Sequence, residues 1–232
     1  MATRTLYHAR GPVTLVGGGP VRPAELARAL ALAPEAIAAD GGGDHPLPEG
    51  HAFRAVIGDM DSLRSDPRLA AGGVALHAVD EQESTDLEKC LYSVEAPLFI
   101  GLGFLGGQID HHLAAMNALA KNPAKPVVLI GGADLCFLCP PVFEIDLTAG
   151  TRVSLFPMGP VAGLEWEGLR WPLRGEFRPD GRIGTSNRAL GGRVRMAFDA
   201  PRMLAILPAA LLGPVAERLR GARAGLSSAR PR

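Results

Sequence analysis

The stretch VIGDMDSL (56–63) ends an apolar run in Gly58 and then sets Asp59 and Asp61 one residue apart. Acidic residues recur in comparable places: Asp40 in ADGGG, Glu81, Glu83 and Asp86 in DEQESTD, and Asp110 in GGQID. Each follows a segment that reads as a β-strand. Taken singly, each has an ordinary use. Asp61 suits a turn, Asp86 the first turn of a helix, where the dipole favours negative charge, and Asp110 a helix N-cap. Taken together they crowd carboxylates into one crevice, and such a crowd repels itself unless cations are present. Hard cations such as Mg2+ take oxygen ligands and sit between carboxylates and substrate phosphates. The set therefore predicts a metal–polyphosphate site. The glycines of DGGG (Gly41, Gly42) and of FLGGQ (Gly106, Gly107, then Gln108) leave backbone N–H groups open to an anion. The second of these leads into a helix N-terminus, itself an anion site. The chain has three lysines, Lys89, Lys121 and Lys125, so metal has to carry most of the phosphate neutralisation. No G-x-x-x-x-G-K-[ST] is present, which excludes a P-loop enzyme.

These residues share one edge only if the elements before them form a parallel sheet. Through about residue 135 the chain alternates strand and helix patterns. VTLVGG, AIAADGGG, AVIGDMDS, VALHAV, PLFIGLG and PVVLIGG read as strands. RPAELARALAL, with Pro23 in its first turn, TDLEKCLYSV and DHHLAAMNALAK read as helices, and DPRLAAG as a short one capped by Asp66. Thr85 and Glu88 form a capping box. The alternation predicts an α/β, Rossmann-like, mostly parallel sheet with helices on both faces, and ligands bind where its strands end. Beyond it, LCFLC, VFEIDL, RVSLFPM, GLRWPL, RIGTSN, RVRMAF and MLAILP predict an antiparallel β-sandwich or barrel. The expected domains are 1–135 and 136–232, the second closing from about Leu212 in a short helix and a polar tail.

Composition narrows the function. The 232 residues carry zero formal net charge and 47% apolar residues, which argues against a nucleic-acid partner. No run is long enough to span a bilayer, and no signal-type stretch opens the chain, so a cytoplasmic protein is expected. Three cysteines make no disulfide framework, and Cys136 and Cys139 read as small buried strand residues. GLGFLG (101–106) spells G-x-G-x-x-G, with Asp134 near the place of the acidic partner of a dinucleotide site. That fingerprint belongs to the first strand–helix turn and needs no crowd of carboxylates, so it is the weaker reading. His111 and His112 open a helix and read as solvent-facing or packing residues.

Four segments, ADGGG (39–43), IGDMDS (57–62), STDLEKCL (84–91) and GGQIDHHLA (106–114), resemble in order and spacing the motifs of the thiamine pyrophosphokinase family. GLEWEGLRWPLRG and GTSNRALGGRVRM resemble its β-domain, with its G-L-K-W and S-N signatures, and the likeness spans roughly 13–208. It implies transfer of a pyrophosphoryl group from ATP to thiamine with Mg2+, giving thiamine diphosphate and AMP. It also implies a homodimer whose sites each join the α/β domain of one subunit to the β-domain of the other. Asp59, Asp61, Asp86 and Asp110, with Glu83, would hold Mg2+ and the triphosphate. Asp40, Gly41, Gly42, Thr85, Lys89, Gly106, Gly107 and Gln108 would lie along the nucleotide or its phosphates. Trp171 would stack on the thiamine pyrimidine beside Ser186 and Asn187. The chain departs from the family pattern at Gln108, where Arg is usual, at Glu81 and Glu83, where Asp is usual, and at Ala115, where Asn is usual. The implied step is in-line attack of the thiamine hydroxyl on the β-phosphorus, with Asp86 or Asp61 as proton acceptor. A related pyrophosphokinase acting on another alcohol, such as a hydroxymethylpterin, and a non-catalytic nucleotide- or thiamine-binding protein are the alternatives.

Overall fold

The structure is a computed structural model that describes residues 5–63, 73–172 and 174–228. The short helix expected over 66–72, with Asp66 as its cap, lies outside the described residues. The chain forms two compact units. The first comprises Met1–Ala118 and Leu129–Gly132, the second Leu119–Val128 and Ala133–Arg232.

Strands β2 (Val13–Val16), β3 (Glu35–Ala39), β4 (Phe53–Gly58), β5 (Ala75–Ala78), β7 (Phe99–Leu102) and β8 (Val127–Gly131) lie in the order β8-β7-β2-β3-β4-β5, all in the first unit except Val127 and Val128. The pairs β7–β2, β2–β3, β3–β4 and β4–β5 are parallel. VTLV of β2 is wholly buried, as a central strand with both faces covered requires. Its one polar side chain is satisfied, Thr14 donating to the Ala33 carbonyl at 2.7 Å. A parallel pair that sequence patterning missed, β1 (Tyr7–His8) with β6 (Val94–Glu95), is too short to show a period.

Among the described residues, three α-helices follow strands in this part of the chain. The first, α1 (Pro23–Leu32), starts on a proline and buries Leu26, Ala29 and Leu30, the i, i+3, i+4 stripe of an amphipathic helix. In α2 (Asp86–Ser93) both halves of the expected capping box form: Thr85 Oγ1 accepts the Glu88 N–H and Glu88 Oε2 accepts the Thr85 N–H. Helix α3 spans Ile109–Lys121. Asp110 is therefore its second residue and not its N-cap, and its Oδ1 accepts the His111 N–H at 2.8 Å.

The second unit contains β9 (Asp134–Leu138), β10 (Val142–Leu147), β11 (Arg152–Pro157), β12 (Val161–Glu167), β13 (Gly175–Phe177), β14 (Gly184–Arg188), β15 (Gly192–Phe198), β16 (Met203–Pro208) and helix α4 (Leu212–Ser228). One antiparallel array runs β14-β11-β16-β9 and another β10-β15-β12-β13. Phe137 of the first and Phe143 of the second meet at 5.0 Å between ring centroids, an aromatic contact in a core that includes Val153, Leu155, Phe177, Val194 and Met196. On β15, Arg193 and Arg195 pair with Glu144, Glu165 and Glu167 of the two flanking strands, forming a charged ladder. GLRWPL is not a strand. Only Leu169 bridges, to Ala189, while β12 and β13, glycine-interrupted and weak in alternation, are strands that patterning missed. The closing helix runs 17 residues, longer than expected. Cys136 and Cys139 are buried thiols outside any disulfide, and burial pushes the Cys136 thiol up to about 12.

The turn after β3 sits against the end of β2. A Cβ on Gly42 would stand 1.9 Å from the Val16 carbonyl oxygen. Gly42→Ala is expected to lower stability by about 2–3 kcal/mol, read as a fall in the urea midpoint with an unchanged slope.

Candidate functional site

Asp40, Asp59 and Asp61 come together where β3 and β4 end. The parallel register pairs Ala39 with Ile57, so the next residues, Asp40 and Gly58, lie side by side. A side chain at position 58 would meet Asp40, since a Cβ built on Gly58 falls 2.6 Å from the Asp40 Cβ. Each of the three aspartates offers an oxygen within 4.8 Å of the others. Strand geometry does not align Asp59 with Asp61. The strand stops at Gly58, Met60 takes a left-handed φ of 66°, and the two carboxylates meet across a tight turn. The Asp61 N–H donates to Asp59 Oδ1 at 3.4 Å, an Asx-type contact of the kind that stabilises such turns.

Asp40 is 1% exposed and holds a left-handed φ of 43°. Its Oδ2 accepts the Ser62 N–H at 3.2 Å, whereas its Oδ1 is buried with no hydrogen-bond donor among the described residues. Burial pushes its carboxyl up to about 6, against a smaller downward pull from the Ser62 N–H. Asp59 differs. The Lys89 ammonium, at 2.9 Å from its Oδ2, and the Gln82 amide, also at 2.9 Å, hold it well below the usual carboxylate range. Asp86 lies 3.8 Å from Lys89, and burial raises its proton affinity over the opposing pull of Lys89. An all-oxygen donor set around an unpartnered buried carboxylate oxygen fits a hard divalent cation.

The remaining predicted residues fall in several places. Gly41 and Gly42 lie in the turn Asp40–Asp44. Thr85 is engaged in the cap of α2. Lys89, read from sequence as a phosphate ligand, is 2% exposed and paired with carboxylates. Glu83 and Asp110 are exposed and stand outside the three-carboxylate cluster. Glu81 is held by Ser84 and the Tyr92 hydroxyl, which braces the acidic loop. Gly106, Gly107 and Gln108 are exposed, and the Gly106 N–H donates to His112 Nε2 at 2.6 Å. Gln82 was missed: it stands in the same acidic loop, but nothing in its spacing points to Asp59. Asp134 pairs with Arg152.

In the second unit, Asn187 clamps Trp171. Its Nδ2 donates to the Trp171 carbonyl at 2.6 Å, and its Oδ1 accepts the Trp171 N–H at 3.2 Å. Asn187 is buried, so its part is to hold the Trp171 backbone. Ser186, at φ 61°, donates its N–H to Ser154 Oγ. Trp171 is 48% exposed, and the Arg170 guanidinium lies 4.9 Å from its ring centroid. The backbone of a half-exposed tryptophan is thus held by a buried amide.

The raised Asp40 carboxyl sets a sign. The folded chain holds this proton more tightly than the unfolded chain. The stabilising contribution is therefore full below about pH 4 and lost as pH rises through about 6. Asp40→Asn is expected to raise stability at pH 7.5 by about 2 kcal/mol in the absence of divalent metal and to leave it unchanged near pH 3.5. Thermal melts at the two pH values in EDTA check it.

Two family models match the chain: the thiamin pyrophosphokinase catalytic domain over residues 26–129, and the thiamin pyrophosphokinase vitamin B1 binding domain over 142–203. Thiamine pyrophosphokinase 1 of Oryza sativa subsp. japonica is 33% identical over 62% of this chain and 62% of its own length. Thiamine pyrophosphokinase 1 of Arabidopsis thaliana is 32% identical over 62% and 61%. The chain thus spans about three-fifths of the length of these relatives. The crystal structure of thiamin pyrophosphokinase from Geobacillus thermodenitrificans has the same fold, with a TM-score of 0.69 at 20% identity over 85% of this chain and 96% of that one.

Proposed function

Because the chain belongs to the thiamin pyrophosphokinase family, with the catalytic and vitamin B1 binding models in order along it, we propose that it transfers the pyrophosphoryl group of ATP to thiamine, releasing AMP. The observation that carries this reading is the Asp40–Asp59–Asp61 cluster with its orphaned Asp40 oxygen, which lies inside the segment matched by the catalytic model. Asp59 and Asp61, with Asp86, Glu83 and Asp110 as the wider set, would hold Mg2+, which when bound neutralises phosphate charge that the few lysines of this chain do not. The glycine turns at 41–42 and 106–107 give close backbone approach to the nucleotide. The hydroxyl proton goes to a carboxylate of this set, Asp86 or Asp61. Trp171 stacks on the thiamine pyrimidine, with Asn187 fixing its backbone and Ser186 beside it. A cytoplasmic homodimer, with the site completed by the β-domain of a second copy, belongs to this reading. No helix among the described residues is long and apolar enough to cross a membrane.

AMP formation from ATP in the presence of thiamine, against a hydroxymethylpterin as the competing alcohol, tests the assignment. Thiamine is expected to support turnover and the pterin not. Asp59→Asn is expected to cut turnover on the order of a hundredfold or more while the circular dichroism spectrum stays native. Near-normal AMP release from that variant would remove the cluster from the mechanism. Trp171→Ala is expected to raise KM for thiamine about tenfold with a smaller change in kcat, the value of about one aromatic stack.

A further inference from the structure

Lys89 is 2% exposed and is the fourth residue of α2. Both facts work against a lysine. Burial strips the ammonium of water, and a positive charge in the first helical turn opposes the dipole. Carboxylates hold it there: Asp59 Oδ2 at 2.9 Å and Asp86 Oδ1 at 3.8 Å. The same Asp59 Oδ2 also accepts Gln82 Nε2 at 2.9 Å. Two donors from separate points of the chain, one in the acidic loop and one on α2, thus converge on a single oxygen. The other oxygen, Oδ1, keeps one long hydrogen bond, from the Asp61 N–H at 3.4 Å. Asp59 belongs to the three-carboxylate cluster, and an ionised carboxylate offers acceptor sites on both oxygens. Two side-chain donors occupy Oδ2, while Oδ1 carries only the long contact.

We propose that Lys89 and Gln82 are positioning residues that pin Asp59 Oδ2, so that Asp59 offers a divalent cation one oxygen, Oδ1, in a fixed orientation, and that Lys89 does not contact phosphate. The proposal rests on reading the cluster as a cation site. It reassigns Lys89 from the substrate to the support of a ligand, the task that outer partners perform at metal centres. Charge alone would do the reverse, since an ammonium beside a cation site repels the incoming ion. Pinning and repulsion therefore predict opposite signs for loss of Lys89.

The test is Mn2+ binding by the full chain without nucleotide, read by electron paramagnetic resonance of free Mn2+. Gln82→Leu, which changes no charge and lies in an exposed loop, and Lys89→Arg, which keeps the charge and alters the geometry, are each expected to weaken Mn2+ binding about tenfold. In an Asp59→Asn background neither is expected to have any further effect. Thermal melts confirm folding, and Gln82→Leu carries the test by itself if Lys89→Arg fails to fold. Unchanged affinity in Gln82→Leu and Lys89→Arg, or tighter binding in Lys89→Met, would overturn the proposal while leaving the cation site standing. Weaker binding of metal-free inorganic pyrophosphate to Lys89→Met, with Gln82→Leu unaffected, would return Lys89 to the phosphate and overturn it too. Absence of Mn2+ binding by the wild-type chain would overturn the cation reading and the proposal with it.

Discussion

The register of one parallel strand pair underlies the site. Ala39 opposite Ile57 makes Asp40 and Gly58 neighbours, and the missing Cβ of Gly58 lets the Asp40 side chain occupy that space. From this follow the burial of Asp40, its unpartnered oxygen and its nearness to Asp59 and Asp61. A slip of one residue would send every side chain of the strand to the other face and disperse the cluster.

Three aspartates set so close do not behave alike. Asp40, buried and short of donors, leans toward its neutral form. Asp59, braced by Lys89 and Gln82, stays ionised far into acid. Asp86, raised by burial against the pull of Lys89, also holds its proton more tightly than a free carboxyl. Neighbouring carboxylates driven apart in this way can divide the work of holding a cation and taking a proton, which a set of identical ones could not. The buried lysine limits the repulsion of the cluster without filling it.

In the second unit the device is mechanical. Asn187 hydrogen-bonds both backbone groups of Trp171, so the backbone of a residue almost half exposed is held by an amide almost wholly buried. The S-N pair reads in sequence as a binding signature. In the structure, Asn187 serves the tryptophan and the exposed Ser186 is the member free to face a ligand.

The α/β alternation, the capping box at Thr85 and Glu88, the antiparallel second half and the two aspartates of GDMDS were legible because they rest on local causes: side-chain periodicity, cap chemistry and turn-forming residues. The left-handed Met60, the starting point of α3, the strands β1, β6, β12 and β13 and the ion pairing of Lys89 were not. Short or glycine-broken strands carry too little period to read, and their existence depends on the partners that hydrogen-bond them. The motif sets Lys89 along the nucleotide phosphates. Its ion pairs with Asp59 and Asp86 come from the packing of α2 against the end of β4, a matter of through-space distance that residue spacing does not encode. The sequence by itself determined which residues carry chemistry and roughly where each strand would deliver them. The tertiary structure decided which carboxylates share a space, which one is left without a donor, and which cation holds them, because burial and pairing are properties of neighbours distant along the chain.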